Sequence, residues 1–273
     1  MGIVYGSMTT LAAWVSVDSE KVSACYLMSE SRITWPNAHW DAGQKLFVSA
    51  KFPDIFGYSG DVQFPTLALR QVLDRMDQGL LFAADADSTL RHRSSCTELE
   101  TAYREYPAHG PNRSVILHFS RDGAGRHAKF SLWKLAWSRD FALQSTALSL
   151  PTASVIGETA GSGWKILIDR NEAWKKAQGR TARGVFSSFC DALESGEDPY
   201  SAGPPQLVGL YPSFPSRLFG IIWRSGRYLA GSLVPDNAQL DQVEWRNGLF
   251  ERVDPHTLQR TEGAQRQPRP PNL

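Results

Sequence analysis

Hydrophobic and polar positions in the first 60 residues form short apolar runs separated by polar turns. Runs at 11–17 and 22–28 flank the polar sequence Asp-Ser-Glu-Lys at 18–21, which predicts a β-hairpin. A second pair of strands is expected at 46–52 and 55–58, on either side of Pro53-Asp54. The chain is therefore predicted to begin with antiparallel strands.

The apolar period then changes from two residues to nearly four. Apolar positions between 64 and 80 recur at helical spacing after Asp61, a candidate N-cap, and a weaker helix is expected at 96–106. Further strands are expected at 115–120, 129–137, 141–147, 206–211, 218–223 and 228–234, and further helices at 164–178 and 181–195.

The order of elements is strands, two helices, strands, two helices, strands. A doubly wound parallel sheet would alternate single strands and helices, so that architecture is disfavoured. Paired helices between blocks of strands favour the α/β (α+β) class, as a four-layer αββα sandwich of two antiparallel sheets flanked by helices. Residues 1–8 are interpreted as an N-terminal extension or propeptide, 9–234 as the domain, and 235–273 as a polar, flexible tail.

Composition excludes several classes of function. The 29 Lys+Arg and 28 Asp+Glu give a net charge of +1, so no electrostatic footprint indicates a nucleic acid or an acidic membrane as a partner. No apolar run reaches membrane-spanning length and no signal peptide is recognised, so a cytoplasmic location is expected.

The sequence motifs for a metal site and for a serine nucleophile are incomplete. The six histidines and three cysteines lack metal-ligand spacing, so no metal and no cofactor is expected. The segment Gly57-Tyr-Ser-Gly60 is one residue short of a GxSxG nucleophile elbow.

Six short segments remain, in a fixed order along the chain. They are Met8-Thr9-Thr10, Glu30-Ser31-Arg32, Gln44-Lys45, the glycine turn 57–60, Gly161-Ser162-Gly163, and Asp198-Pro-Tyr-Ser201. This order resembles the proteasome β-subunit family, which includes the bacterial HslV peptidase, over roughly residues 9 to 234. The resemblance implies the fold of an N-terminal-nucleophile (Ntn) hydrolase.

The resemblance also implies a role for each segment. Thr9 would be the nucleophile, Lys45 and Glu30 its charged partners, Arg32 a supporting residue, and Gly57 or Gly60 the backbone donor of the oxyanion hole. Ser162, Asp198 and Ser201 would hold the terminal amine. This sequence departs from the family at two positions, where Glu30 replaces an Asp and Met8 replaces the Gly that usually precedes the nucleophile.

The chemistry of these residue types is coherent in itself. A threonine hydroxyl becomes a good nucleophile when a base takes its proton, and a free α-amine of pKa about 8 can be that base. A nearby lysine ammonium stabilises the developing oxyanion, and a carboxylate keeps the lysine oriented. A backbone N–H in an oxyanion hole lowers the barrier by about 3 kcal/mol.

These observations predict a threonine peptidase that cuts peptide bonds through an ester on Thr9. A small-amide hydrolase with the same machinery and an inactive assembly or binding subunit are the alternatives. The resemblance implies peptide or unfolded-protein substrates, a homo-oligomer of ring type, and an ATP-dependent unfoldase as a partner. While residues 1–8 are attached, the α-amine of Thr9 is locked in a peptide bond, so autoprocessing or another cleavage has to precede activity.

Overall fold

The structure is a computed structural model that describes residues 9–107, 114–137 and 142–270. Its strands are β1 (Thr10–Asp18), β2 (Lys21–Ser29), β3 (Ile33–Trp35), β4 (Ala38–Trp40), β5 (Leu46–Val48), β6 (Asp54–Ser59), β7 (Val115–Asp122), β8 (Lys129–Trp137), β9 (Leu143–Leu148), β10 (Ile156–Gly161), β11 (Gln206–Leu210), β12 (Arg217–Leu218), β13 (Gly220–Trp223), β14 (Gly226–Leu229), β15 (Ser232–Leu233), β16 (Trp245–Arg246) and β17 (Arg252–Val253). Its α-helices within these residues are α1 (Gln63–Asp77), α2 (Ser88–Glu105), α3 (Trp164–Gln178) and α4 (Ala182–Ser195).

Two antiparallel five-stranded sheets form the body of the molecule. The first has the order β10-β1-β2-β11-β12 and the second the order β5-β6-β7-β8-β9. Their facing sides share one apolar core, to which Leu11, Ala13 and Leu27 contribute from the first sheet and Ile55 and Leu117 from the second. Side chains alternate across a strand, so the residues between these positions point to the opposite face of each sheet.

Helices cover both outer faces. Trp14 and Tyr26 of the first sheet pack against Phe186 and Phe189 of α4. On the second sheet, Phe56 and Tyr58 join a cluster with the buried residues of α1 and α2: Phe64, Ala68, Leu69, Val72, Leu73, Met76, Leu99 and Tyr103. The result is a mixed α/β architecture with several antiparallel sheets and four helices among the described residues.

The helix predicted at 96–106 in fact begins at Ser88. Asp87 is its N-cap and accepts a hydrogen bond from the Leu90 N–H at 2.7 Å. The early turns of α2 bury the polar residues Arg91 and His92, so an apolar period does not reveal them. The first helix begins at Gln63, where Val62 takes the N-cap position that the sequence suggested for Asp61.

Two strand regions before residue 200 were missing from the sequence prediction. The short hairpin of β3 and β4 forms a two-stranded sheet of its own, and β10 pairs with β1 where the sequence predicted no strand. The strand predicted at 141–147 is observed as β9, and its predicted first residue, Phe141, lies outside the described residues. The predicted extension at 1–8 also lies outside them.

The segment predicted as a flexible tail is built into the fold up to residue 270. β16 and β17 belong to a third sheet of order β15-β14-β13-β16-β17, in which Trp245 is buried. Further along, Arg269 pairs with Asp191 of α4 at 2.6 Å. Buried aromatic and paired polar residues therefore attach this polar segment. Within the described residues, none of the helices has the length and apolar character needed to cross a bilayer.

Candidate active site

The ends of three strands bring the proposed nucleophile and its charged partners together. Thr9 directly precedes β1, and Glu30 directly follows β2. In the antiparallel register Leu11 lies opposite Ser29, so the start of β1 meets the end of β2. Lys45 directly precedes β5 at the same end of the sandwich, and all three side chains are buried.

Lys45 links the other two residues. Its Nζ donates to Thr9 Oγ1 at 2.8 Å and to Glu30 Oε1 in a direct ion pair. The side chains of Lys45 and Glu30 are both 0% exposed. The second oxygen of Glu30 accepts the backbone N–H of Arg32, which fixes the plane of the carboxylate. The Glu30 side chain thus folds back onto the backbone that follows β2.

Burial acts on both members of the ion pair. It lowers the pKa of Lys45, and the charge and hydrogen bond of Glu30 offset this only in part. Burial likewise raises the pKa of Glu30, with Lys45 opposing the change. Each group is therefore closer to its neutral form than it would be in water. A lysine with a lowered pKa exchanges a proton with a hydroxyl more readily than an ordinary lysine.

Ser162, Asp198 and Ser201 form a hydrogen-bonded chain beside the Thr9 nitrogen. Ser162 Oγ accepts the Thr9 N–H at 3.4 Å and donates to Asp198 Oδ2 at 2.6 Å. Ser201 Oγ donates to the same oxygen at 2.7 Å and lies 2.7 Å from Thr10 Oγ1. Because the Ser201 proton goes to Asp198, Thr10 is the donor in the last bond. The chain has one polarity, with Asp198 as its final acceptor.

Steric constraints require glycine on both sides of Ser162. Gly161 has φ of +99°, and a Cβ there would overlap the Thr9 carbonyl oxygen. A Cβ on Gly163 would overlap Thr10 Oγ1 and lie 3.0 Å from the side-chain oxygens of Asp198 and Ser201. Only glycines let the loop carry Ser162 this close to the start of β1.

Gly57 lies too deep in the sandwich to be the oxyanion donor. A Cβ there would lie 2.7 Å from Leu46 Cδ2 and 2.8 Å from Leu11 Cδ1, so this glycine lets the two sheets pack closely. Tyr58 N–H donates to the Lys45 carbonyl at 3.2 Å, and N–H directions alternate along a strand. The N–H of Gly57 therefore faces β7. Gly60, which directly follows β6 and has φ of +107°, stays the predicted donor.

Arg32 supports the site from outside. Its guanidinium makes a bidentate pair with Asp41 at 2.7 and 2.8 Å and donates to the Pro199 carbonyl at 3.0 Å. This joins the base of the β3–β4 hairpin to the loop that carries Asp198. The Asp41 pair holds the pKa of Arg32 above its usual value, and Arg32 in turn lowers that of Asp41.

Gln206, which the sequence did not single out, forms hydrogen bonds with the backbone of both Lys45 and Glu30. Its Oε1 accepts the Lys45 N–H at 3.0 Å, and its Nε2 lies within hydrogen-bond distance of the carbonyls of Glu30 (3.1 Å) and Gly43 (2.8 Å) and of Ser31 Oγ (2.9 Å). The available signal was a lone polar residue at the start of the otherwise apolar strand Gln206–Leu210.

Within the described part of the chain, no group of three or more His, Cys, Asp or Glu side chains is placed to hold a metal ion. No protein-family model and no curated protein matches the chain. Among solved structures it is similar to eukaryotic HslV from Trypanosoma brucei, with 13% identity and a TM-score of 0.45, over 74% of this chain and 99% of that chain. A likeness this distant shows neither family nor function, so function has to be inferred from the geometry of the site.

Proposed function

We propose that this chain is a threonine peptidase of the Ntn-hydrolase type, with the four-layer αββα sandwich of that class. The observation that carries the proposal is the buried Lys45 ammonium, which donates to Thr9 Oγ1 while paired with Glu30. A fully buried ion pair is costly to form, and here it is aimed at a hydroxyl at the end of a strand. This combination suits the activation of a nucleophile better than the support of a fold.

The reaction follows from the contacts of Thr9. Once cleavage after Met8 frees the α-amine, that amine takes the Oγ1 proton while Oγ1 attacks the scissile carbonyl carbon. Lys45 stabilises the developing negative charge. The C–N bond then breaks, the leaving amine takes the proton, and the acyl group remains as an ester on Thr9. Water, activated by the same amine, hydrolyses the ester. Ser162, which accepts from the Thr9 nitrogen, keeps that amine in place.

The direct test labels Thr9 with a β-lactone or epoxyketone probe. The protein is prepared as a ubiquitin fusion that is cleaved to leave Thr9 as the first residue, and the adduct is located by peptide mapping. We expect labelling at Thr9 and none in Thr9→Ala. We also expect none in a matched chain that retains residues 1–8, because the α-amine of Thr9 is then locked in a peptide bond. Absence of labelling on the correctly cleaved chain would refute the peptidase and favour the inactive assembly subunit.

Assembly, partners and location are part of the same proposal. We propose peptide or unfolded-protein substrates, a homo-oligomer of ring type, an ATP-dependent unfoldase as partner and a cytoplasmic location. Light scattering at micromolar concentration tests whether the chain forms a homo-oligomer. A strictly monomeric, active chain would instead favour the small-amide hydrolase.

A further inference from the structure

Gln206 is the most fully bonded buried side chain near the candidate site that has no role in the proposed reaction. It is 1% exposed and lies at the start of β11, where it pairs with Ser29 of β2. Its amide is directed at backbone groups and at Ser31 Oγ rather than at Thr9. Its role has to be sought in the backbone that it holds.

Those backbone groups belong to the two ends of one excursion of the chain. The chain leaves the first sheet after Glu30, forms the β3–β4 hairpin, and returns at Gly43 and Lys45 to enter the second sheet. The Nε2 of Gln206 contacts the carbonyls of Glu30 and Gly43, and its Oε1 accepts from Lys45 N–H. One amide therefore bridges the backbone that carries Glu30 and the backbone that carries Lys45.

A glutamine is well suited to this position, since its amide offers a donor and an acceptor at a fixed separation. Leucine would leave the Lys45 N–H and the Gly43 carbonyl buried without partners. Glutamate could accept from Lys45 N–H but could not donate to the carbonyls, and it would bring a third charge to a buried ion pair. Asparagine keeps the amide but is one methylene too short to reach both segments.

We propose that Gln206 is a positioning residue, which sets the separation of Glu30 and Lys45 and so aims the lysine at Thr9. This inference rests on the proposed function for its catalytic consequence, although the bridge itself is a statement about backbone order. A displacement of about 1 Å in a catalytic group can cost roughly 100-fold in rate. We therefore expect Gln206→Leu and Gln206→Asn to slow the labelling of Thr9 by about 10- to 100-fold, in the maximal rate rather than in the probe's affinity.

Gln267 supplies a matched control. It is also a buried glutamine, with a side-chain hydrogen bond to Gln178 at 2.6 Å, but it belongs to the C-terminal segment. Gln267→Leu should cost stability with little effect on the labelling rate. Equal losses of labelling in Gln267→Leu and Gln206→Leu would mean that general destabilisation is responsible, and would overturn the positioning role.

Two readouts separate this inference from the proposed function. Hydrogen exchange of the Lys45 backbone amide needs no activity: we expect it to be at least about 10-fold faster in Gln206→Leu than in the wild-type chain or Gln267→Leu, because its acceptor is gone. Unchanged exchange would overturn the bridge, whether or not the protein is a peptidase.

The second readout is the pH profile of labelling. The added carboxylate in Gln206→Glu should move the profile to higher pH, since an anion raises the pKa of both Glu30 and Lys45. Gln267→Glu should leave it in place. An unmoved profile in Gln206→Glu, in a folded and active chain, would show that position 206 does not act on the charged pair. If Gln206→Leu does not fold, Gln206→Asn carries the exchange test and Gln206→Glu carries the pH test.

Discussion

Removing the charges of Glu30 and Lys45 one at a time, and then together, gives the sharpest test of the buried pair. The variants are Glu30→Gln, Lys45→Met and the double variant. Both side chains are wholly buried, so each single change leaves one charge without a partner. Breaking a buried ion pair in this way costs about 3–5 kcal/mol, whereas neutral groups of similar size at both positions are often tolerated.

The magnitude can also be derived from protonation. In Lys45→Met, Glu30 escapes an unpaired charge by remaining protonated, and at pH 7 that costs about 4 kcal/mol relative to its unfolded pKa of about 4.3. In Glu30→Gln, Lys45 escapes by losing its proton, which costs about 5 kcal/mol relative to an unfolded pKa of about 10.4. At roughly 2–4 °C per kcal/mol, each single variant should lose about 8–20 °C in Tm.

The two penalties have opposite pH dependence. In Lys45→Met the folded pKa of Glu30 is raised, so the penalty vanishes as pH falls to the unfolded pKa and should be about 1 kcal/mol at pH 5. In Glu30→Gln the folded pKa of Lys45 is lowered, so the penalty shrinks as pH rises and should be about 2 kcal/mol at pH 9. The double variant should lie close to the wild-type stability and be inactive.

Urea unfolding at pH 5, 7 and 9, followed by circular dichroism, measures all three variants. The exposed pair of Arg70 and Asp74 is the control, since its removal should cost no more than about 0.5 kcal/mol at any pH. Strictly additive effects of Glu30→Gln and Lys45→Met, or pH trends of the same sign, would refute the buried pair. An active double variant would refute its role in catalysis.

Three further predictions concern other parts of the fold. Gly163→Ala should abolish probe labelling because its methyl group displaces the Thr10–Asp198 hydrogen-bonded chain; retained labelling would contradict that geometry. Burial lowers the pKa of His92 to about 3 and also lowers that of His118, so stability should fall as pH drops below about 6.5, by up to about 1.4 kcal/mol per pH unit for each histidine. His92→Gln should reduce that slope in urea titrations, and an unchanged slope would argue against a neutral buried His92. Trp245→Ala should cost about 3–5 kcal/mol in urea unfolding because the residue is 2% exposed, and a near-neutral effect would show that the C-terminal segment is dispensable.

The sequence predicted the elements whose buried faces are apolar. The β1–β2 hairpin and the helices α3 and α4 were visible because apolar positions recur at the strand or helix period. The start of α2 was not, because its buried face is polar. Arg91 is satisfied there by Asp54 at 2.7 Å, in a cluster where His118 also bonds Asp54 at 2.9 Å. Hydrophobic periodicity cannot register a helix turn that is stabilised by buried hydrogen bonds.

The same distinction separates the predicted and the missed parts of the site. Thr9, Glu30 and Lys45 could be proposed because each begins or ends a strand in a recognisable order. Gln206 could not, because a lone polar residue at the start of an apolar strand does not reveal its partners until the fold places it between two backbone segments. Gly57 and Gly60 both stayed candidates for the oxyanion donor for the related reason that a glycine needed for close packing and one needed for an exposed N–H look alike in sequence.

The hydrogen bonds of the site join residues that are synthesised far apart in time. Thr9 bonds Ser162, Thr10 bonds Ser201, and Lys45 bonds Gln206, so one member of each bond is synthesised long before the other exists. At synthesis rates of about 5–20 residues per second, roughly 10 to 40 s separate Thr9 from Gln206 on the ribosome. A nascent chain therefore contains Thr9 before Ser162 and Lys45 before Gln206. In the proposed peptidase, the nucleophile would therefore be assembled only once the sandwich is complete.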